Sequence, residues 1–360
     1  MTYYLTNAKI EKWLRRNVIF NFFCYHYTLL RFFSTYGFIY LLFLFSTSSF
    51  GQQAEMHFVA AKEYLRSQKA DLAQQELDSA LAIDPNFVRA HMLMGDLLTQ
   101  QKKYLLAIGH YDRAISSNPN LLEIYLKRAD LHYKLKDHQR YILRDMDAAI
   151  RLAPDSAELY ARKAFYLANT VDPAVMGADY AQATTAITKA IELKPIAIYY
   201  YYRSKYKFES KQLLSSLADV NKAIELDTTK ASFLAYRGFI KFMMEDFRSS
   251  VGDYTRALTL DPRNSKYFES RAYGKFNLEN YESAYRDYST AIDILIARIA
   301  DKKGRIHPED PLNKELRETL LLRGMALVQD KKPYDGCDDF ERAYQMGEQK
   351  AQNYIRKFCN

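Results

Sequence analysis

Residues able to do chemistry are few and scattered. Six histidines lie beyond the first fifty residues: His57, His91, His110, His132, His138 and His307. None falls in a His-Glu-x-x-His pair, and there is no glycine-rich phosphate loop, no Gly-x-Ser-x-Gly elbow and no paired-cysteine metal spacing. Glu309 and Asp310 adjoin each other without a matching base. This pattern points away from an enzyme and calls for no cofactor or metal. Two other sets are ordered. Arg203 and Asp219, Arg237 and Asp253, Arg271 and Asp287, and Arg323 and Asp339 all share one spacing, and Arg128 and Asp145 are one position further apart. Cys337 and Cys359 are the only cysteines after Cys24.

The elements that must position these residues follow from a period. The phrase Ala-(Ile/Leu) followed by three residues and a proline ends at Pro85, Pro119, Pro154, Pro195 and Pro262, and a variant ends at Thr228. The intervals between successive phrases are 34, 35, 41, 33 and 34. Helix stripes precede each phrase, as with Ala107, Tyr111 and Ala114, and proline closes them because it lacks an amide and clashes with the preceding turn. Over about residues 54 to 346 the pattern resembles the tetratricopeptide repeat. Small residues such as Gly95, Gly238 and Ala272 stand where that family's two helices cross closely, with Tyr111, Tyr254 and Tyr288 as the large partners. Ile142, Ser216 and Thr228 depart from the pattern, and the last two units lose the closing proline. The resemblance implies an all-α, right-handed superhelical solenoid of about eight helical hairpins with a C-terminal capping helix.

In the hairpin register each arginine lies on the inner face of the first helix and its aspartate on the second, so each pair is expected to meet as a structural ion pair. His91 and His132 take packing positions and are expected to be satisfied interior residues. A helix over about 335–346, a turn at Gly347 and a closing helix to Phe358 bring both cysteine thiols to one end. A disulfide pinning the cap is expected there, with two buried free thiols as the alternative.

The family's first helices line a concave face that grips an extended peptide or a partner helix. Its positions 5, 9 and 12 share one stripe. Here they are Tyr201, Lys205 and Phe208, then Ala235, Phe239 and Phe242, then Glu269, Tyr273 and Phe276. This is an aromatic groove, without the lysines and asparagines that family members use to clamp chaperone carboxylates. It implies a protein or peptide partner.

Residues 1–51 differ in kind from the rest of the chain. Lys9, Lys12, Arg15, Arg16 and Arg31 stand against Glu11, an apolar stretch runs from Tyr36 to Phe45, and Ser49 and Gly51 suit a cleavage site before Gln52. A secretory leader is expected, hence export to a periplasm or cell envelope. An uncleaved inner-membrane anchor is the alternative, and membrane contact by the mature chain is expected only then. The leader's +4 taken from the chain's +8 leaves +4, too small a balance for a nucleic-acid surface. Expected boundaries are a leader at 1–51, a solenoid at 52–296, an insertion at 297–316 and a last repeat with its cap at 317–360. A second, shorter insertion falls at 169–177. Low Gly 12 and Pro 9 in 360 residues suit a helical array, and Tyr 30 and Phe 21 against Trp 1 divide between repeat cores and the groove. Together these features predict a non-enzymatic interaction scaffold of a bacterial envelope. The alternative is a noncatalytic accessory subunit of an envelope enzyme or assembly complex.

Overall fold

The computed structural model describes residues 50–170, 179–302 and 310–359. The leader up to residue 49, most of the 169–177 insertion, and His307 and Glu309 lie outside these residues. Among the described residues the secondary structure is helical without a strand. The chain divides into two compact units, one ending at Leu135 and one beginning at Lys136.

The first unit contains α1 (50–66), α2 (Ala70–Ile83), α3 (Val88–Gln100), α4 (Tyr104–Ser117) and α5 (Leu122–Lys134). The second opens with α6 (Gln139–Leu152), followed by α7 (Ala157–Asn169) and α8 (Tyr180–Leu193), α9 (Ala197–Glu209) and α10 (Leu213–Leu226), and α11 (Ala231–Met243) and α12 (Phe247–Leu260). It ends with α13 (Ser265–Asn277), α14 (Tyr281–Asp301), α15 (Pro311–Gln329), α16 (Pro333–Gln345) and α17 (Ala351–Phe358).

Two turn types recur along the chain, with the α7–α8 connection as an exception, where Thr170 is extended (φ −102, ψ 132). After the first helix one residue takes the left-handed region, as Lys102 (φ 60), Lys211 (φ 64), Glu245 (φ 63) and Glu279 (φ 60) do. The next amide then reaches back to a carbonyl of the last turn, as Lys103 N does to Leu98 O (2.8 Å) and Asp246 N to Lys241 O (3.0 Å), which satisfies helix-end carbonyls. After the second helix the residue before proline is extended, as at Asn118 (φ −144, ψ 99) and Asp261 (φ −136, ψ 80), because proline excludes the helical region from its predecessor. Asp227 adopts the same angles (φ −147, ψ 101) before Thr228, so stacking of the next helix suffices without proline.

Close crossing of the two helices sets the packing. A Cβ added to Gly95 would collide with the Tyr111 ring, and Tyr111 is 1% exposed. In α9 and α10 two serines replace the glycine and alanine. Ser204 and Ser216 donate to each other's carbonyls at 2.8 Å, so the hydroxyls are satisfied inside the crossing.

The expected 297–316 insertion is narrower than the sequence suggested. Residues 297–301 continue α14 and 311–316 begin α15. Leu295, Leu312 and Leu316 share one core with Leu320 and Phe340, so an apolar stripe carries both helices past the repeat length. Residues 50 and 51, assigned to the leader, already belong to α1.

Candidate partner-binding surface

The arginine ladder is more elaborate than a row of pairs. In the second unit Arg203, Arg237, Arg271 and Arg323 each donate Nε and Nη2 to the two oxygens of Asp219, Asp253, Asp287 and Asp339, at 2.5–2.9 Å. The remaining Nη1 donates to the second helix of the preceding hairpin: Thr188 (3.3 Å), Asn221 (3.0 Å), Thr255 (3.3 Å) and Ser289 (3.1 Å). One planar guanidinium thus ties three helices together. One turn later a lysine adds a second cation to the same carboxylate: Lys207 to Asp219, Lys241 to Asp253 and Lys275 to Asp287, each at 2.7 Å. Leu327 stands at that place after Arg323, so Asp339 has the arginine alone of the two. These carboxylates are 2–6% exposed, inside the structure rather than open to a ligand. Lys163 makes only the backward link, to Asp147 at 2.6 Å. Arg128 and Asp145 belong to different units; within its own, Arg128 donates to Asp112 at 2.5 Å.

The first unit joins its hairpins differently. His57 Nδ1 lies 2.6 Å from Glu76 Oε2 in α1 and α2, and His91 Nδ1 lies 3.0 Å from His110 Nδ1 in α3 and α4. The two pairs share one sequence spacing, 19 in each case. A charged cavity of about 290 Å³ lies beside Asp96, Tyr111, Lys127 and Lys134. Asp96 accepts from Tyr111 (2.7 Å) and Lys127 (2.8 Å), and Lys127 also meets Glu123 at 2.7 Å. Among the described residues no group of three histidine, cysteine or carboxylate side chains could hold a metal ion.

The nine expected groove residues divide three ways. Phe239 is 36% and Tyr273 45% exposed, and Lys205 is exposed with its ammonium over the Tyr201 ring. Tyr201, Phe208, Phe242 and Phe276 are half-buried. Two do not serve as groove contacts. Ala235 is buried in the core shared by α10, α11 and α12, because the neighbouring hairpin covers that turn. Glu269 is engaged by Thr319 of α15 (2.9 Å) and Lys266 (3.1 Å).

The rings nevertheless form two sets of contacts. Phe208 lies 5.0 Å from Phe239, Phe239 is 6.0 Å from Tyr236, and Tyr236 is 5.5 Å from Tyr201. Phe242 stacks on Tyr273 at 5.0 Å across α11 and α13. Burial raises the Tyr201 and Tyr236 phenols above their ordinary value, so they remain protonated donors at neutral pH. Tyr236 was missing from the sequence stripe because it stands three residues before Phe239 rather than four. Exposed Met243 (50%) and Met244 (37%) extend the apolar surface at the end of α11.

At the C-terminus Cys337 and Cys359 are bonded, with Cα atoms 5.7 Å apart. Gly347 takes φ 95 between α16 and α17, and Tyr354 and Phe358 of α17 lie against Phe340 at 5.3 and 6.5 Å.

Stacked hairpins that carry part-exposed aromatic rings define a helical-repeat fold. The family model described as "Tetratricopeptide repeat" matches residues 58–121, and helical hairpins of the same build recur through the second unit, so the fold is of the tetratricopeptide-repeat type. It is 32% identical over 98 residues to the Hsp70-Hsp90 organizing protein of Triticum aestivum, covering 27% of this chain and 17% of that protein. It is 28% identical over 214 residues to the mitochondrial import receptor subunit TOM70 of Homo sapiens, covering 48% of this chain and 35% of that one. The chain thus spans about a sixth to a third of the curated relatives it matches. The structure of the C-terminal part of a TPR repeat-containing protein from Cytophaga hutchinsonii aligns with a TM-score of 0.56 at 15% identity, covering 73% of this chain and 98% of that chain. Proteins of this family act as protein–protein interaction scaffolds.

Proposed function

We propose that this chain is a non-enzymatic adaptor of a bacterial cell envelope that captures a peptide or partner helix on the aromatic face of α9, α11 and α13. The observation that carries the reading is the run from Tyr201 through Tyr236, Phe239 and Phe208, with Phe242 on Tyr273 beside it. These rings pack on one another yet leave Phe239 and Tyr273 over a third exposed, and exposed aromatic clusters are where binding energy concentrates in protein interfaces. Held on rigid helices, they would bind with little ordering cost. The leader-like pattern of residues 1–51 supports export, and the Cys337–Cys359 bond suits an oxidising compartment. Chaperone carboxylate clamping is not part of the reading, because the nine stripe positions carry Lys205 as their single lysine and no asparagine.

The test is partner recovery from envelope extract by the wild type and by a Phe239→Ala/Tyr273→Ala variant of equal thermal stability. The reading predicts loss of the specific partner from the variant; equal recovery would contradict it.

A further inference from the structure

We infer that the Cys337–Cys359 bond is a dithiol-exchange site, and that its reduction by a dithiol protein releases α17 from the end of the second unit. The two cysteines are the only ones after Cys24, so exchange has no competing thiol in the described chain. Both are half-buried at the end of the described residues, where a reductant reaches the sulfurs without unfolding a repeat. The surface beneath α17 is enclosed instead, with Phe340 and Ala343 0% exposed.

The bond holds an element that has little else to hold it. α17 has eight residues, short of the length at which a helix persists alone in water. It docks by one face, with Ala351, Tyr354, Ile355 and Phe358 in one core with Phe340 and Ala343, while Asn353, Arg356 and Lys357 are exposed. The buried arginine–aspartate links of the ladder have no counterpart on α17 among the described residues. The hinge is equally local. Gly347 reverses the chain at φ 95, and Arg317 of α15 donates Nη1 to the Met346 carbonyl at 3.2 Å. Opening therefore starts after Met346 and leaves α16 in place.

A thiolate of the reductant attacks one sulfur, forms a mixed disulfide and expels the other cysteine as a thiolate. The second thiol of the reductant then displaces the first cysteine. Two electrons pass from the dithiol to the bond, the reductant leaves as a disulfide, and its two protons end on Cys337 and Cys359. Release has a defined reach. Tyr354 and Phe358 lie on the Phe340 ring at 5.3 and 6.5 Å, and that ring fills the close crossing at Gly324 of α15. Asp339, next to Phe340, is held by Arg323 without the lysine found on the earlier rungs. Removing α17 wets this crossing beside the rung with fewest cations, so α15–α16 should loosen next while α11–α12 stays closed.

The experiment is hydrogen exchange by mass spectrometry on the full chain at neutral pH, without denaturant, before and after dithiothreitol, with iodoacetamide labelling to locate the freed thiols. The expected result is labelling of both Cys337 and Cys359. Opening of 351–359 should rise on the order of a hundredfold, the loop-closure effect of a 22-residue span, with a smaller increase in 333–345 and none in 231–260. Cys337→Ser/Cys359→Ser should open like the reduced wild type and ignore dithiothreitol; the wild-type comparison stands without it if that variant fails to fold. A native bond that resists dithiothreitol, unchanged protection of 351–359 after reduction, equal loosening of 231–260, or a folded serine variant as protected as the oxidised chain would overturn the inference.

Discussion

Removing the arginine from a ladder rung tests what the ladder does, and two rungs differ in a way that predicts the size of the loss. In Arg237→Ala, Asp253 loses both guanidinium bonds and Asn221 loses its Nη1 donor, but Lys241 remains 2.7 Å from the carboxylate. The aspartate is therefore not left unpaired, as pairwise reading of the sequence implied. In Arg323→Ala no lysine stands at the next turn, and Asp339, 2% exposed, loses its cation. Breaking a buried pair by removing one partner costs about 3–5 kcal/mol. The arginine side chains are 14% and 20% exposed, so solvent screening does not cancel this. We expect about 3–5 kcal/mol from Arg323→Ala, about 2–3 kcal/mol from Arg237→Ala because of the retained lysine, and about 1 kcal/mol from Lys241→Ala. Urea unfolding followed by circular dichroism measures the total, and hydrogen exchange of α11–α12 and α15–α16 locates it, since repeats open locally. Arg237→Lys should recover only part of the loss, because an ammonium cannot span three helices. Wild-type melting of Arg237→Ala with lost partner binding would refute the structural assignment. Equal costs at both rungs would refute the role given to Lys241.

Other outcomes follow from local geometry. Glu245 holds φ 63, and left-handed backbone costs a non-glycine residue about 1–2 kcal/mol; after glycine's entropy loss of about 0.5–1 kcal/mol, Glu245→Gly should raise stability by about 0.5–1 kcal/mol in urea unfolding. Gly95→Ala drives a methyl into the Tyr111 ring and should lower it by about 1–3 kcal/mol. Reducing the bond between Cys337 and Cys359, 22 residues apart, should remove about 3 kcal/mol from the terminal hairpin, seen as faster proteolysis of 351–359 before any change in α11–α12.

The period and the ladder were legible because uniform helices make spacing equivalent to position. The first helices α9, α11 and α13 are equal in length, so the arginine-to-aspartate step crosses each of those hairpins. The second cation was equally legible, since Lys207, Lys241 and Lys275 recur at the interval of the repeat itself, but reading the ladder as pairs passed over it. The backward partner was not, because Thr188, Asn221, Thr255 and Ser289 share only the capacity to accept a hydrogen bond. The histidine links escaped because their longer step uses a position nearly one turn earlier on the first helix. Groove burial depends on how one hairpin covers the next, which a stripe on a single helix does not contain. Ala235 therefore closed into the core while Tyr236, outside the stripe, joined the rings.

The central claim, that the ring face of α11 and α13 is where a partner sits, is tested most directly by photocrosslinking from defined positions. A photoreactive phenylalanine analogue at Phe239 or Tyr273 is compared with the same analogue at Leu214, an apolar residue of α10 that is 73% exposed, in the presence of envelope extract. The account predicts one discrete crosslinked species from positions 239 and 273 and none from 214. The same species from 214, or none from either groove position, would contradict it.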